Sequence, residues 1–171
     1  MGDYTYKKAL RISNAFLSLA GIFLIAELAI VFYINQPLKI AVVDMATEET
    51  IFSEEVEYGE RFKVNYIHSV ERSPVSEIFE VRKDGIYTME SHTESFGAGM
   101  PYEGEETVLE DGKFIIKNIN RKVHGGTLKI RPSSVFPHHI LIGSHDLLIS
   151  EPPYKGKNLE IKIIKSYFRG D

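Results

Sequence analysis

The sequence predicts an all-β domain, a sandwich or partly open barrel of about ten short antiparallel strands, preceded by one N-terminal transmembrane helix. Three observations predict this architecture. Short runs rich in β-branched and aromatic residues recur from residue 38 onward, and turn residues separate them. No long amphipathic helical pattern interrupts these runs. A twenty-residue apolar segment, residues 15–34, precedes them all.

The chain has 171 residues, of which 43% are hydrophobic and 26% charged, so it has enough apolar material for one folded domain. Its net charge is -4, and its basic residues are interleaved with carboxylates. This pattern argues against a nucleic-acid partner, which requires a basic stripe. The chain contains no cysteine, which excludes disulfides, thiolate metal sites and a cysteine nucleophile.

The apolar segment 15–34 carries one charge and, as a helix, would span a bilayer core of about 30 Å. Because Lys7, Lys8 and Arg11 precede it, residues 1–14 are predicted to be cytoplasmic and residues 38–171 to form a periplasmic or extracellular domain. A cleavable signal peptide is the alternative, but the one small-x-small site, at residues 18–20, lies inside the apolar run. We therefore predict an uncleaved anchor in a single-pass cell-membrane protein.

Glu27 is the one charged residue of this anchor. A carboxylate near the centre of an isolated span costs about 2–3 kcal/mol, and such groups usually face a partner or a water-filled cavity. The sequence leaves two readings open. Either Glu27 contacts another membrane subunit, or it is protonated or shifted toward the interface.

After Gln36-Pro37 ends the helical pattern, the chain reads as strands with turns between them. The predicted strands are Leu38–Met45, Thr50–Glu55, Arg61–Val70, Val75–Arg82, Ile86–Phe96, Thr107–Leu109, Lys113–Asn118, Thr127–Arg131, His139–Ile142, Leu147–Ser150 and Leu159–Lys165. The turn signals are Tyr58-Gly59, Asp84-Gly85, Asp111-Gly112, Gly125-Gly126, Gly143-Ser144, Pro152-Pro153 and Gly156.

The third and fourth predicted strands flank the segment Glu71–Pro74. If that segment is a four-residue loop closed by Val70 opposite Val75, the antiparallel register pairs His68 with Glu77. Tyr66 would then face Phe79, and Val64 would face Val81. Apolar residues meet apolar residues in this register, and the two ionisable residues meet each other.

A pair of His68 and Glu77 on an apolar face has two interpretations. It could transfer a proton or anchor a ligand at the mouth of a pocket, or it could simply be a satisfied polar pair that sets the hairpin register. A hydrolase would also need a nucleophile. Ser95 could reach the pair, whereas Ser69 points to the opposite face of its strand.

The next strand leaves its register open. A two-residue turn at Asp84-Gly85 places His92 opposite Glu77, and a bulged turn places Thr93 there instead. In the first case His68, Glu77 and His92 cluster, but without metal-site spacing we predict neither a metal nor another cofactor. A second histidine group, His138, His139 and His145, is read as surface loop residues.

The segment from Ser95 to Pro101 contains Gly97 and Gly99 around a small alanine. Glycine permits backbone angles that other residues avoid and a close approach of a neighbouring strand or ligand. The segment does not match a dinucleotide-binding pattern, and no helix follows it. We predict a tight bend that packs against the hairpin of His68.

These motifs resemble the domain-of-unknown-function family numbered eighteen-fifty, over roughly Leu38 to Lys165. The resemblance rests on Tyr66-Ile67-His68-Ser69-Val70-Glu71, on Ser73-Pro74-Val75 with Glu77, and on Ser95-Phe96-Gly97-Ala98-Gly99 followed by Pro101. Members of that family are small exported or membrane-anchored proteins, commonly encoded beside TAXI-type tripartite ATP-independent periplasmic (TRAP) transporters. The resemblance implies association with a permease and its solute-binding protein, and it implies no catalytic role.

The first functional hypothesis is therefore a non-enzymatic accessory subunit of such a transporter. Its ligand or docking site would be formed by residues from the hairpin, the next strand and the glycine segment: His68, Glu71, Glu77, His92, Ser95, Gly97, Gly99 and Pro101. The alternatives are a stand-alone module that binds a ligand or a metal, and an extracytoplasmic hydrolase that uses His68 and Glu77.

Overall fold

The computed structural model describes residues 18–32, 37–95 and 106–165. Residues 18–32 are helical and belong to a different compact unit from the β domain, Pro37–Ser166. In these three ranges, no helix is long and apolar enough to cross a membrane. The ends of the predicted anchor, residues 15–17 and 33–34, lie outside the described residues.

The described part of the β domain contains twelve strands and one short 3₁₀ turn at His124–Gly126. The strands are β1 (Leu38–Asp44), β2 (Thr50–Glu55), β3 (Arg61–Ile67), β4 (Pro74–Arg82), β5 (Gly85–Thr93), β6 (Glu106–Glu110), β7 (Lys113–Lys117), β8 (Arg121–Lys122), β9 (Leu128–Ile130), β10 (His138–Ile142), β11 (His145–Leu148) and β12 (Leu159–Lys165). The prediction of short β-strands is confirmed. The two-residue strand β8 was missed because it is too short to show alternation.

The strands form two antiparallel sheets, as a sandwich requires. The smaller sheet has the order β2-β1-β12-β9. The larger sheet has the order β11-β10-β3-β4-β5-β7-β6, and β8 pairs with β5 beside this path. The smaller sheet joins strands from both ends of the domain, because β1 pairs with β12 along its whole length.

The core lies between the two sheets. Ile40 and Ile161 from the smaller sheet are fully buried, as is Ile140 from the larger one. Phe62 on β3 and Phe79 on β4 are direct cross-strand partners, and their rings stack with centroids 5.2 Å apart. The alternation of side chains along each strand therefore sends the intervening residues of β3 and β4 to the outer face of the larger sheet.

Candidate functional site

The β3–β4 hairpin is shifted by four residues from its predicted register. Tyr66 pairs with Val75, and Val64 pairs with Glu77. The loop is closed two residues earlier than predicted, by a hydrogen bond from the His68 backbone N–H to the Ser73 carbonyl at 2.9 Å. The predicted pairing of His68 with Glu77 is therefore wrong.

The error has a simple physical cause. Residues of a strand point alternately to its two faces, so a slip by an even number of residues keeps every side chain on its face. The alternation of apolar and polar residues is therefore compatible with both the observed and the predicted register. The observed register instead stacks Phe62 on Phe79, which buries two large aromatic side chains against each other.

Three of the predicted site residues do meet, at the loop between β3 and β4. The Nδ1 atom of His68 accepts a hydrogen bond from the Glu71 backbone N–H at 3.2 Å. The Ser95 hydroxyl donates to the Glu71 carboxylate at 3.1 Å. His68 thus closes its own loop, and Glu71 ties that loop to the end of β5. These contacts hold the loop in place. Gly97, Gly99 and Pro101 lie outside the described residues.

Both predicted registers for β5 are wrong. The turn residues are Lys83 and Asp84, one position earlier than predicted, and Gly85 begins the strand. A bulge then leaves Met89 without a cross-strand partner, so that Glu77 faces Ser91 and His92 faces Ser76. The bulge also reverses the alternation within β5. His92 consequently lies on the outer face, away from Glu77.

Glu77 instead lies on the inner face, near Tyr66. Burial raises the pKa of the Tyr66 hydroxyl well above its ordinary value, and the negative charge of Glu77 raises it further. The Tyr66 ring stacks on His138 with centroids 5.0 Å apart. Burial lowers the pKa of His138, although its hydrogen bond to the Phe136 backbone opposes the shift. This end of the inner face is thus polar but only partly solvated.

The three histidines read as surface loop residues belong to strands, and each has its own environment. His138 stacks on Tyr66, and its Nδ1 accepts from the Ser133 backbone N–H at 3.4 Å. The Nδ1 of His139 lies 2.7 Å from an Asp146 carboxylate oxygen. His145 pairs with Glu54 at 3.1 Å. They do not form one ligand group. Within residues 18–32, 37–95 and 106–165, no three His, Cys, Asp or Glu side chains are placed to hold a metal ion.

A cleft of about 360 Å³ opens on the outer face of the larger sheet, and sequence reasoning missed it. Its described lining consists of Lys63, Asn65, Tyr66, Ile67, Pro74, Val75, Ser76, His92, Lys113, Pro137 and His139. Of the predicted site residues, only His92 is among them. No motif marks the cleft, because its residues come from five strands and are brought together by cross-strand pairing.

The polar floor of the cleft is one row of residues across four strands. The register aligns His139 of β10 with Asn65 of β3, Asn65 with Ser76 of β4, and Ser76 with His92 of β5. The Ser76 hydroxyl donates to the Asn65 side-chain oxygen at 2.7 Å. Three strand spacings separate the two histidines, about 14 Å, so they cannot share one small ion.

A carboxylate holds each of these histidines. Asp146 contacts Nδ1 of His139 at 2.7 Å, and Glu90 contacts Nε2 of His92 at 3.1 Å. Glu90 also accepts from Arg61 at 3.3 Å, which extends the ion-pair network away from the cleft. Neither carboxylate lines the cleft itself. The imidazole rings are thus oriented by two carboxylates that lie outside the cleft.

The ion pairs continue along the outer face beyond the cleft. Glu80 lies 2.8 Å from Arg82 and 3.3 Å from Arg61. Partial burial by itself would raise the pKa of Glu80, but the hydrogen bonds from both guanidinium groups lower it below its ordinary value. The cations of this region are thus neutralised by carboxylates, which distinguishes it from the cleft.

The fold and the cleft define an antiparallel β-sandwich whose larger sheet carries a polar cleft on its outer face. The chain matches a family model over residues 62–148, about half its length, and it belongs to the family described as Domain of unknown function (DUF1850). The matched residues contain nearly the whole of the larger sheet, from β3 to β11. The family resemblance predicted from the sequence is confirmed. A comparison with curated proteins finds no match, and neither does a comparison with solved structures.

Proposed function

We propose that this protein is a non-enzymatic accessory subunit of a TAXI-type TRAP solute transporter, held at the cell membrane by one N-terminal helix. Its N-terminus lies in the cytoplasm, and its β domain lies on the periplasmic or extracellular side. Family membership supports the proposal, because members are commonly encoded beside such transporters.

One observation about the β domain carries the proposal: one end of the larger sheet presents exposed apolar side chains. Val70, in the β3–β4 loop, is 74% exposed, and Val135, before β10, is 78% exposed. Both lie at the same end, since His138 at the start of β10 pairs with Tyr66 near the end of β3. Two exposed apolar side chains at one end of the sheet, beside an ordered loop, are what the proposed docking contact would use.

The contacts of the β3–β4 loop favour docking further. Glu71 accepts a hydrogen bond from Ser95, and His68 accepts one from the Glu71 backbone. A loop that is already ordered loses less conformational entropy when a partner binds it. Val70 is therefore presented on a pre-organised support.

The helical residues 18–32 support the membrane part of the proposal. Their large apolar side chains are exposed by 54% or more, with Ile25 the highest at 68%. Such a surface is suited to lipid or to another apolar helix. Glu27, in the same helix, would contact a membrane subunit of the transporter.

The hydrolase hypothesis needed His68 and Glu77 as base and orienter. The observed β3–β4 register places His68 in the loop and Glu77 opposite Val64, so this hypothesis loses its geometric basis. The binding-module hypothesis keeps its support from the cleft on the outer face of the larger sheet.

The test is co-purification of the full-length protein from its native membranes in mild detergent, with mass spectrometry of what accompanies it. We expect a large permease and a solute-binding protein to be recovered. Val70→Asp should reduce their recovery, because it places a charge at an apolar contact. Met45→Asp is the matched control, since Met45 is 42% exposed in the turn between β1 and β2, away from the β3–β4 loop.

Glu27→Leu tests the membrane contact separately and should weaken recovery of the permease. If the detergent extracts the protein fully from the membrane and the purified protein still comes without a permease or a solute-binding protein, the accessory-subunit proposal is contradicted. Equal losses with Val70→Asp and Met45→Asp would contradict the docking surface at the β3–β4 loop.

A further inference from the structure

We propose that the cleft on the outer face of the larger sheet binds a small organic anion that carries a carboxylate and an apolar body. The cleft is lined by residues of β3, β4, β5, β7 and β10 and by Pro137. This site does not rest on the transporter proposal, because its geometry lies wholly within the β domain.

Charge is the first argument. Lys63 and Lys113 line the cleft, and none of its described lining residues is acidic. Neither lysine forms an ion pair with a residue in the described part of the chain, whereas Arg61, Lys122 and Lys157 all do. Both lysines are exposed, and the cleft therefore presents two cations with no carboxylate among its described lining residues, in a chain whose net charge is -4. This arrangement favours an anionic ligand.

The floor of the cleft provides hydrogen bonding as well as charge. Because the Asn65 side-chain oxygen accepts from Ser76 at 2.7 Å, the amide of Asn65 keeps its N–H₂ group as a donor. That group has no partner among the described residues. Lys63 stands two positions from Asn65 on the same face of β3, about 7 Å away along the strand. An ammonium and an amide donor at this spacing suit a carboxylate group.

The apolar walls separate an organic anion from an inorganic one. Ile67 and the rigid rings of Pro74 and Pro137 line the cleft together with the lysines. At about 360 Å³ the cleft is at the lower end of small-molecule pockets, which typically measure about 300–1,000 Å³. Phosphate or sulfate would use the cations and leave the apolar walls without a contact.

A metal ion is disfavoured by the same residues. Metal ions that bind oxygen ligands need carboxylates, and the two carboxylates near the cleft, Glu90 and Asp146, are already paired with His92 and His139. The two histidines stand about 14 Å apart in the row, too far to bind one metal ion together. Lysine ammonium groups would also repel a cation.

The experiment uses the full-length protein in detergent and follows thermal unfolding by differential scanning calorimetry. The probes are the sodium salts of succinate, glutarate, benzoate, phosphate and sulfate at about 10 mM and matched ionic strength, with sodium chloride as reference. A ligand that binds only the folded state raises the melting temperature, and the rise grows with the logarithm of the ligand concentration once that concentration exceeds the dissociation constant. We expect at least one carboxylate to raise it more than phosphate and sulfate do, with a dissociation constant measurable by titration.

Lys63→Gln and Lys113→Gln should each weaken binding and raise that dissociation constant about three- to tenfold. Lys83→Gln should leave it unchanged, because Lys83 is an exposed lysine of the β4–β5 turn outside the cleft. Lys63→Arg should retain most of the affinity, since it keeps the charge. A cooperative thermal transition of ligand-free Lys63→Gln shows that its loss of affinity does not come from misfolding.

Three results would overturn the proposal. The first is no shift with any carboxylate. The second is a shift that the double variant Lys63→Gln, Lys113→Gln keeps in full, which would show a general salt effect on stability. The third is a larger shift with phosphate or sulfate than with every carboxylate, because that would assign the cleft to an inorganic anion. None of these results bears on co-purification with a transporter.

Discussion

The close approach of Gly85 and the 3₁₀ turn provides a sharp test of the fold that supports the cleft. A Cβ atom added to Gly85 would lie 2.6 Å from the Gly126 Cα and 2.7 Å from the Gly126 carbonyl oxygen. These are backbone atoms, which cannot rotate away as the end of a side chain can. Gly85 also has a φ of +134°, in a region that L residues rarely adopt. Gly85→Ala therefore forces β5 and the turn apart.

The cost of Gly85→Ala has three contributions. The strained backbone angle costs about 1–3 kcal/mol. The additional methyl group in a closely packed place costs about 1–3 kcal/mol. Alanine also lowers the conformational entropy of the unfolded chain, which stabilises the folded state and offsets about 0.4–1 kcal/mol of this cost. With each contribution at the middle of its range, we expect the free energy of unfolding to fall by about 3 kcal/mol. The hydrogen bond from the Val123 N–H to the Ile86 carbonyl, 2.9 Å long in the wild type, should be lost as well.

Gly112→Ala is the matched control. Gly112 lies in the β6–β7 turn with a φ of +76°, and a Cβ there would meet nothing within 4 Å. It has backbone strain without the steric clash, so its cost should be about 1 kcal/mol. The assay is thermal unfolding of both full-length variants in detergent, followed by circular dichroism. Gly85→Ala should melt at least about 5 °C below Gly112→Ala. Equal melting temperatures would refute the reasoning from close approach.

Two further predictions concern buried polar groups. The Asp44 carboxylate is 6% exposed, and its pKa is lowered by the backbone N–H of Ala46, 2.9 Å away, and by Lys157 at 3.1 Å. Because the pKa is lowered in the folded state, the ionised Asp44 carboxylate contributes to the free energy of unfolding. This contribution is fully present above the ordinary pKa of 3.8 and is lost as the pH falls below that value. The melting-temperature gap between wild type and Asp44→Asn should therefore be constant above about pH 5 and narrow toward pH 2, and a gap that widens in acid would contradict this. Ser91 is fully buried, and its hydroxyl has no hydrogen-bond partner among the described residues. Ser91→Ala should keep or raise stability by up to about 1 kcal/mol, and a loss of more than about 1 kcal/mol in urea unfolding would show that the hydroxyl has a partner.

Local pattern predicted much of the fold, because strands and turns are determined over a few residues. β2 was predicted with its observed bounds, Thr50–Glu55, and β12 with Leu159–Lys165. The Asp111-Gly112 turn was also correct, since positive φ angles at Asp111 and Gly112 are what that dipeptide favours. β3 was predicted three residues too long, because the apolar Val70 continues the alternation although it lies in the loop.

The candidate site was predicted only in part. His68, Glu71 and Ser95 do come together, through contacts that follow from a short loop and the end of the adjacent strand. The sequence left open whether His92 or Thr93 lies opposite Glu77; the bulge at Met89 places Ser91 there and sends His92 to the other face. A bulge is an insertion in one strand relative to its partner, so no pattern within β5 by itself reveals it.

By itself, the sequence determined the β class, most strand positions, the inward faces of β3 and β4, the family, and the apolar segment at residues 15–34. These follow from composition, alternation and local motifs. Only the tertiary structure decided the β3–β4 register, the bulge in β5 and the cleft that holds Lys63 and Lys113. The reason is that pairing between strands is set by the packing of distant residues, as when Phe62 stacks on Phe79. A row such as His139–Asn65–Ser76–His92 exists only after three such pairings are made.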